Sequence, residues 1–201
     1  MAAEWALFTK STFASGVEST IAKDSSPLGV TSSFQYWDPY PISVVSAKGA
    51  WMTDVDGRQL LDLSMGFGAM LAGHLNEEVI AETKAALEGG TLFVTPSPIS
   101  RDGAERLCKR FEIDKVRFAN SGTEATMYAV RTAKAYNGKS AIVKLEGGYH
   151  GSYDPLTVSA KPDLDKAGNP EEPNPVVGHG IHVGVVFVVP FNNLPALATI
   201  F

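Results

Sequence analysis

The fold class follows from the sequence Arg117-Phe118-Ala119-Asn120-Ser121-Gly122-Thr123-Glu124-Ala125. The residues that lead into it, Val116 to Phe118, have the composition of the end of a short strand. The residues that follow it, up to Tyr136, are helix formers with apolar side chains near helical spacing. A strand is therefore predicted to pass directly into a helix, with the turn between them at the helix N-terminus.

That turn has the features of a phosphate site. At a helix N-terminus, unpaired N–H groups and the positive end of the helix dipole favour an anion. Gly122 lets the backbone approach a phosphate closely, and the hydroxyl groups of Ser121 and Thr123 can donate to phosphate oxygens. The alternative is that Ser121 or Thr123 only caps the helix, as Ser and Thr commonly do. A short motif alone does not separate the two interpretations.

A second glycine-rich turn follows this helix. Ala141 to Leu145 is an apolar, strand-like run that leads into Glu146-Gly147-Gly148-Tyr149-His150-Gly151. An aromatic ring and an imidazole thus follow a strand, where the loops of α/β folds collect their ligands. Gly184 to Val189 is a continuous apolar run, typical of a strand buried on both faces of a parallel sheet. Strands and helices alternate from Val116 onward, which predicts a three-layer α/β fold.

In combination, these motifs resemble those of class III aminotransferases, most closely the glutamate-1-semialdehyde aminomutase-like branch. The resemblance rests on residues 118–125, on the helix 127–136 with Gly138 after it, and on Gly148-Tyr149-His150-Gly151. It runs from about Gly29 to the C-terminus and favours the phosphate interpretation over a plain helix cap. It implies fold type I of the enzymes that use pyridoxal 5'-phosphate (PLP). The cofactor-binding residues it implies are Ser121, Gly122 and Thr123 at the phosphate, Tyr149 stacked on the ring and His150 beside it.

The resemblance also suggests residues that face the substrate. Residues 29–32 resemble a substrate-side loop of the aminomutase-like branch, which brings Ser32 into the pocket. Where that branch often carries an arginine suited to a substrate carboxylate, this chain has Gln35. A neutral amide cannot pair with a carboxylate as a guanidinium does, which weakens the prediction of glutamate-1-semialdehyde as substrate. In the glycine-rich segment 64–74, Phe67 would give the pocket an apolar wall, with packing into the core as the alternative.

The resemblance implies that part of the catalytic site lies outside this sequence. The Schiff-base lysine and the acidic partner of the pyridine nitrogen are both expected beyond Phe201, so no catalytic residue is predicted within the chain. Lys134, Lys139 and Lys144 are interpreted as surface or strand-end residues. Residues 1–60 are expected to form an N-terminal segment of helix, loop and small strands. Residues 61–201 are expected to form the first part of the PLP-binding large domain, incomplete until a C-terminal half, on a separate or parent chain, supplies the rest.

The predicted function is that of the N-terminal half of a PLP-dependent class III transaminase. It would transfer an amino group from a small-molecule amine or amino acid to a keto or aldehyde acceptor, and the completed unit is expected to be a homodimer. One alternative is a glutamate-1-semialdehyde 2,1-aminomutase. Another, of a different class, is a non-catalytic PLP-binding or interaction subunit.

Composition limits the other partners. The chain has 201 residues, of which 44% are hydrophobic, enough for a real core. A formal net charge of -5 without a Lys/Arg cluster argues against nucleic acid and against an anionic membrane surface as partners.

The single cysteine, Cys108, permits no intramolecular disulfide. Because the sequence also has no apolar run of spanning length, a cytoplasmic location is expected. His150, His179 and His182 lack the spacing of a metal site, so no metal is predicted.

The remaining sequence predicts further local structure. Met1 to Lys23 has the loose spacing of an amphipathic helix with an interruption at Ser15-Gly16. Residues 54–57 are predicted to form a turn with Gly57 at positive φ rather than a calcium loop. Residues 155–180 are polar and rich in proline, which predicts a surface excursion. Strands are predicted at 42–47, 50–53 and 59–63, and helices at 76–89 and 101–111.

Overall fold

The fold is described from a computed structural model. It describes residues 2–162, 165, 167 and 184–200. The chain forms two compact units, Met1–Thr95 and Pro96–Phe201, and each is described by itself below. His179, His182 and most of the proline-rich segment lie outside the described residues.

The first unit begins with two helices where one interrupted helix was predicted. Helix α1 spans Ala2–Ser11 and helix α2 spans Phe13–Ala22. The break falls at Thr12, whose backbone is non-helical at φ -129°, rather than at Ser15-Gly16. Ser15 lies instead in the first turn of α2, where the carboxylate of Asp56 accepts hydrogen bonds from the Ala14 N–H (2.7 Å), the Ser15 N–H (3.1 Å) and the Ser15 hydroxyl (2.7 Å). This cap comes from a residue far along the chain, so the local pattern placed the break three or four residues too late.

Three antiparallel strands follow, in the order β1-β2-β3. They are β1 (Val44–Lys48), β2 (Trp51–Asp54) and β3 (Gln59–Leu61), which confirms the predicted strands to within two residues at each end. The predicted turn after β2 is also confirmed, with Gly57 at φ +81°. Strand β3 ends at Leu61 because the next residue, Asp62, is buried and turns the backbone with its carboxylate.

The last helix of the first unit is α3, Glu77–Glu88. Asn76 caps it by accepting a hydrogen bond from the Val79 N–H at 3.1 Å. Two glutamates occupy its first turn, where the helix dipole favours negative charge. These local signals are strong, and the prediction for this helix is confirmed.

The second unit contains four helices and two strands among the described residues. They are α4 (Pro98–Phe111), α5 (Gly122–Asn137), β4 (Ile142–Leu145), α6 (Asp154–Thr157), β5 (Val186–Val189) and α7 (Leu194–Ala198). Helix α4 begins three residues earlier than predicted because Pro98 occupies its first turn, which suits proline. Strands β4 and β5 pair in parallel, with Ile142 opposite Val186 and Leu145 opposite Val189.

Two predictions for the second unit are wrong. Residues 116–118 do not form a strand, since none of the described residues pairs with them and a strand requires such a partner. Residues 155–160 are not a surface excursion, because Pro155, Leu156 and Val158 are buried and Val158 packs with the strand residues Val186 and Val188. The prediction that strand β5 is buried on both faces is wrong in part, since Phe187 is 37% exposed between buried neighbours.

Candidate functional site

The N-terminus of α5 carries the first group of predicted site residues. Ser121 is the N-cap, and its hydroxyl oxygen accepts a hydrogen bond from the Glu124 N–H at 3.2 Å. The Glu124 carboxylate accepts one from the Asn120 N–H at 2.6 Å, so the two side chains form a reciprocal cap. The capping role is therefore real, but it uses only the oxygen of Ser121. The hydroxyl hydrogen remains able to donate to an anion.

The space in front of this helix suits a phosphate. A side-chain carbon built at Gly122 would meet nothing within 4 Å, so the approach to the backbone there is open. The first N–H groups of an α-helix have no acceptor within their own helix, and here they belong to Gly122 and Thr123. The N–H groups and the two hydroxyls are the donors that a phosphate group requires, and the open space leaves room for it.

The second predicted turn, Glu146 to Gly151, belongs to a loop whose residues 150–152 contact this helix directly. The Thr126 hydroxyl lies 2.8 Å from the backbone oxygen of His150, nearer than the Gly122 and Thr123 oxygens of its own helix at 3.0 and 3.1 Å, and donates to it. The Ser152 N–H donates to the Thr123 hydroxyl oxygen at 3.1 Å. Gly151 lies against Thr123 so closely that a side-chain carbon there would sit 2.5 Å from its Oγ1. The two glycine-rich turns thus form one cluster, although 24 residues separate Thr126 from His150.

Thr123 therefore has two roles available at once. Its oxygen accepts the Ser152 N–H, which leaves its hydroxyl hydrogen for a phosphate oxygen. The side chain is half-buried between the helix and the loop. Its orientation is consequently fixed before any ligand binds.

Tyr149 and His150 extend from the docked loop. The Tyr149 side chain is 56% exposed, so its ring has a face that a planar ligand could reach. The imidazole of His150 folds back over Gly148, where a side-chain carbon would lie 2.8 Å from Nε2. Both residues remain predicted ring contacts, and the loop that carries them is rigidly attached to α5.

Lys144 is a feature of this cluster that the sequence prediction missed. It lies in β4 and is only 5% exposed, so it is neither a surface nor a strand-end residue. Its ammonium donates to the backbone oxygens of Gly148 (3.0 Å), Leu156 (3.1 Å) and Val158. Burial lowers the pKa of the Lys144 ammonium. The signal available in the sequence was a single lysine within an otherwise apolar strand.

The predicted substrate-side residues lie in the first unit. The side-chain oxygen of Gln35 accepts hydrogen bonds from the Thr31 N–H (3.2 Å) and the Thr31 hydroxyl (2.9 Å), which leaves its NH2 group as a donor. Ser32 belongs to the same turn, and its backbone oxygen accepts the Gln35 N–H at 2.9 Å. Next to Gln35, the ring of Phe34 contacts Phe67 edge to face, with centroids 5.8 Å apart. Phe67 thus contacts the turn that carries Ser32 and Gln35, through the ring of Phe34.

Phe67 does not pack into a core within this unit, because its side chain is 83% exposed. The loop that carries it is held by Asp62, which is 8% exposed. The Asp62 carboxylate accepts hydrogen bonds from the Ser64 N–H (2.9 Å), the Met65 N–H (2.8 Å) and His74 Nε2 (2.8 Å). One side chain thus fixes both ends of the glycine-rich loop, and the hydrogen bond to Asp62 gives His74 a structural role.

Asp62 should make the stability of the protein depend on pH in the acid range. The hydrogen bond from His74, with those from the Met65 and Ser64 N–H groups, lowers the pKa of Asp62 in the folded state. The stabilisation is therefore complete above the unfolded pKa of about 3.9 and is lost as the pH falls through the lower folded value. We expect the urea midpoint to fall less steeply between about pH 4 and pH 2.5 in Asp62→Asn than in the wild type. The exposed change Glu82→Gln on α3 is the control, and equal slopes in all three proteins would contradict the prediction.

The described residues contain neither a metal-binding cluster nor a membrane-spanning helix. No group of three or more His, Cys, Asp or Glu in that part of the chain could hold a metal ion. No helix within the described ranges is both long enough and apolar enough to cross a membrane.

Comparison with known proteins gives the family. Residues 34–177 match the class-III aminotransferases. The chain belongs to this family. Over 140 residues it is 43% identical to the glutamate-1-semialdehyde 2,1-aminomutase of Nitrosopumilus maritimus, a match that covers 69% of this chain and 33% of that protein.

Solved structures of class III aminotransferases share its fold. A transaminase with PLP bound superimposes with a TM-score of 0.85 at 35% identity, over 94% of this chain and 44% of its own. An omega-transaminase from Sphaerobacter thermophilus gives a TM-score of 0.84 at 32% identity, over 92% of this chain and 43% of its own. The chain therefore spans less than half the length of these three proteins.

These findings confirm three predictions. The resemblance to class III aminotransferases and their aminomutase-like branch is confirmed. The three-layer α/β architecture of fold type I is the fold of the structural neighbours, of which this chain covers a part. PLP, the predicted cofactor, is the cofactor of the family and is bound in one of those neighbours.

Proposed function

We propose that this chain is the N-terminal part of a PLP-dependent class III transaminase. The complete enzyme transfers an amino group from an amine or amino acid to a keto or aldehyde acceptor. The observation that carries the proposal is the docking of residues 147–152 on the start of α5 through Thr123 and Thr126. This docking joins a phosphate-binding helix terminus to a loop that carries an aromatic ring, and the family membership supplies the reaction class.

In this proposal the chain binds and orients the cofactor. The N–H groups and hydroxyls of Ser121, Gly122 and Thr123 hold the phosphate, Tyr149 stacks on the ring, and His150 lies beside it. PLP, when bound, supplies an electron sink for the transfer of the amino group. This half of the protein contributes by positioning the cofactor. The hydrogen bond that Ser121 accepts as a cap and the one that Thr123 accepts from Ser152 orient their two hydroxyls before the cofactor binds.

The rest of the catalytic site is proposed to come from a C-terminal portion on the same parent chain or on a separate one. That portion would supply the lysine that links to PLP and the acidic partner of the pyridine nitrogen. Large exposed apolar side chains support the need for further covering structure, among them Leu71 at 95% and Leu92 at 88% exposure. We propose that the completed unit is a homodimer in the cytoplasm.

A glutamate-1-semialdehyde 2,1-aminomutase is the second candidate. The 43% identity to the aminomutase of Nitrosopumilus maritimus favours it. Gln35 argues against it, because its NH2 group is a neutral donor and cannot form the paired, charge-assisted contact that a guanidinium makes with a carboxylate. A non-catalytic PLP-binding or interaction subunit is the third candidate, and it differs from both enzymes in showing no turnover.

The test begins with the protein purified from its source. Native and then denaturing mass spectrometry should show either a longer parent chain or a second polypeptide, and borohydride should fix a PLP-sized adduct to a lysine outside residues 1–201. The same material should then transaminate members of a panel of amines and keto acids. Conversion of glutamate-1-semialdehyde with no turnover of the panel would favour the aminomutase. Lysine-bound PLP with no turnover of any substrate would leave the non-catalytic subunit.

Thr123→Val should weaken cofactor binding. The change keeps the shape of the side chain but removes the hydroxyl that is proposed to donate to the phosphate and that accepts the Ser152 N–H. A hydrogen bond to a charged group contributes about 1.5–3 kcal/mol, so the Kd for PLP should rise about tenfold or more. An absorbance titration of the apoprotein measures this change.

Two variants control for indirect effects of the change at Thr123. Thr123→Ser keeps the hydroxyl and should bind PLP nearly as the wild type does. Thr83→Val removes an exposed helix hydroxyl of α3 and should leave the Kd unchanged. Equal affinity in the wild type and Thr123→Val would count against the assigned phosphate site.

A further inference from the structure

Lys144 is buried in a setting that lacks an obvious structural need for a charge. Its three ammonium hydrogens face three backbone oxygens, those of Gly148, Leu156 and Val158. All three acceptors are neutral, so the charge is solvated by carbonyl dipoles rather than paired in these bonds. Burial of an ammonium is costly, and an apolar side chain would be the cheaper way to fill a strand position next to the buried residues Val188 and Val189.

The three acceptors lie at the two ends of one excursion of the chain. Gly148 precedes Tyr149 directly, while Leu156 belongs to α6 and Val158 follows it. The Gly147 N–H adds a parallel link by donating to the Ser159 oxygen at 2.8 Å. The ammonium therefore closes the base of the segment 148–158, and Tyr149 and His150 lie directly after the first residue of that segment.

The hydrogen bond from Lys144 to the Gly148 oxygen acts on the backbone of Tyr149, the residue predicted to stack on the cofactor ring. The backbone oxygen of Gly148 and the N–H of Tyr149 belong to the same planar peptide group, so a bond to the oxygen fixes the plane from which the Tyr149 side chain departs. On the other side of Tyr149, the His150 oxygen is held by Thr126. Lys144 and Thr126 thus hold the backbone on both sides of the tyrosine.

We propose that Lys144 is a positioning residue for the cofactor site, and that its ammonium holds the Gly148–Tyr149 peptide so that the tyrosine ring keeps its place over the cofactor. This inference rests on the proposed function, because it takes Tyr149 as the residue that stacks on the PLP ring. Lys144 itself does not touch the cofactor in this arrangement. Its Nζ is occupied by the three carbonyls, which also removes it as a link to PLP.

The decisive experiment is a double-mutant cycle in the complete protein. Lys144→Met keeps an unbranched side chain one atom shorter and removes every donor, and the Kd for PLP is measured in the wild-type background and in Tyr149→Ala. If Lys144 acts through Tyr149, the variant should weaken binding about tenfold in the first background and less than about twofold in the second. An equal loss in both backgrounds would overturn the proposal, since a general loss of structure does not depend on the tyrosine. Lys139→Met, an exposed change, is the matched control.

Hydrogen exchange of the apoprotein provides a readout that does not require cofactor. Amides of residues 146–152 should exchange at least about tenfold faster in Lys144→Met, while those of α3 should not change. Unchanged exchange in the loop would overturn the proposal. Should Lys144→Met fail to fold, Lys144→Leu, which also has no donor and suits a buried strand position, undergoes the same cycle and the same exchange measurement, with the same criteria.

The two proposals can fail separately. A complete protein that binds no PLP would overturn the proposed function, and with it the link from Lys144 to a cofactor. Faster loop exchange in that case would still show that Lys144 holds the Gly148–Tyr149 peptide. Normal PLP binding with identical affinities in the wild type and Lys144→Met would overturn the inference about Lys144 alone.

Discussion

Gly151→Ala is expected to destabilise the protein by about 3 kcal/mol and to weaken PLP binding strongly. Gly151 has φ +89°, a conformation that costs a residue with a side chain about 1 kcal/mol. The added carbon would also lie 2.5 Å from Thr123 Oγ1 and 2.7 Å from Thr123 Cα. The second contact is with backbone, so no rotation of a side chain relieves it, and such overpacking costs about 2 kcal/mol more. The loop must move away from α5, which separates the two parts of the proposed cofactor site.

Urea unfolding of the apoprotein and a PLP titration measure the two effects of Gly151→Ala. Gly147→Ala is a close control, because Gly147 also has a positive φ, +70°, but a carbon there meets nothing within 4 Å. It should cost only about 1 kcal/mol, the conformational part of the effect. If the two variants lose the same stability, the close approach of Gly151 to Thr123 does not hold the loop in place.

The correct predictions came from signals that act within a few residues. The start of α5 at Ser121 and its end at Gly138, which has φ +69°, follow from capping chemistry that the sequence displays directly. The same holds for Asn76 at the start of α3. Such interactions form between near neighbours, so residue type and spacing suffice to predict them.

The contacts that assemble the candidate site are not local. Thr123 and Thr126 meet residues 150–152 only after the chain has passed through α5 and β4. Each glycine-rich turn could be assigned to phosphate or ring binding by resemblance, but nothing in the spacing showed that hydroxyls of one would hold the backbone of the other. The cap that Asp56 provides for α2 is a second case of the same limit.

The errors in residues 155–160 have the same cause. Their composition indicates exposure, since proline and polar residues dominate the segment as a whole. In the fold, Leu156 and Val158 are buried and their backbone oxygens face the Lys144 ammonium. A buried lysine needs carbonyl partners, and a segment that offers its backbone oxygens to one need not be apolar. Composition therefore misjudged both the lysine and the segment that surrounds it.

The largest effect in the first unit is expected from Arg58→Met. Asp54 is 1% exposed, and its carboxylate accepts hydrogen bonds from Arg58 Nε and from the Arg58 N–H, both at 2.8 Å. Removal of the guanidinium leaves a buried carboxylate with only a backbone donor from that residue. Breaking a buried ion pair in this way costs about 3–5 kcal/mol, and the remaining N–H bond places the expected loss near 3 kcal/mol.

Urea unfolding measures this loss of stability. Two further variants test whether the loss comes from the buried charge. Arg101→Met removes an exposed partner of Asp102 and should change stability by less than about 1 kcal/mol. The double change Asp54→Asn with Arg58→Met removes the unpaired charge and should recover part of the loss, because an uncharged amide is less costly to bury than a lone carboxylate. If the double variant were less stable than Arg58→Met alone, the cost would lie in lost packing rather than in the buried charge. The distinction also bears on α2, because the turn between Asp54 and Arg58 presents Asp56, which caps the first turn of that helix.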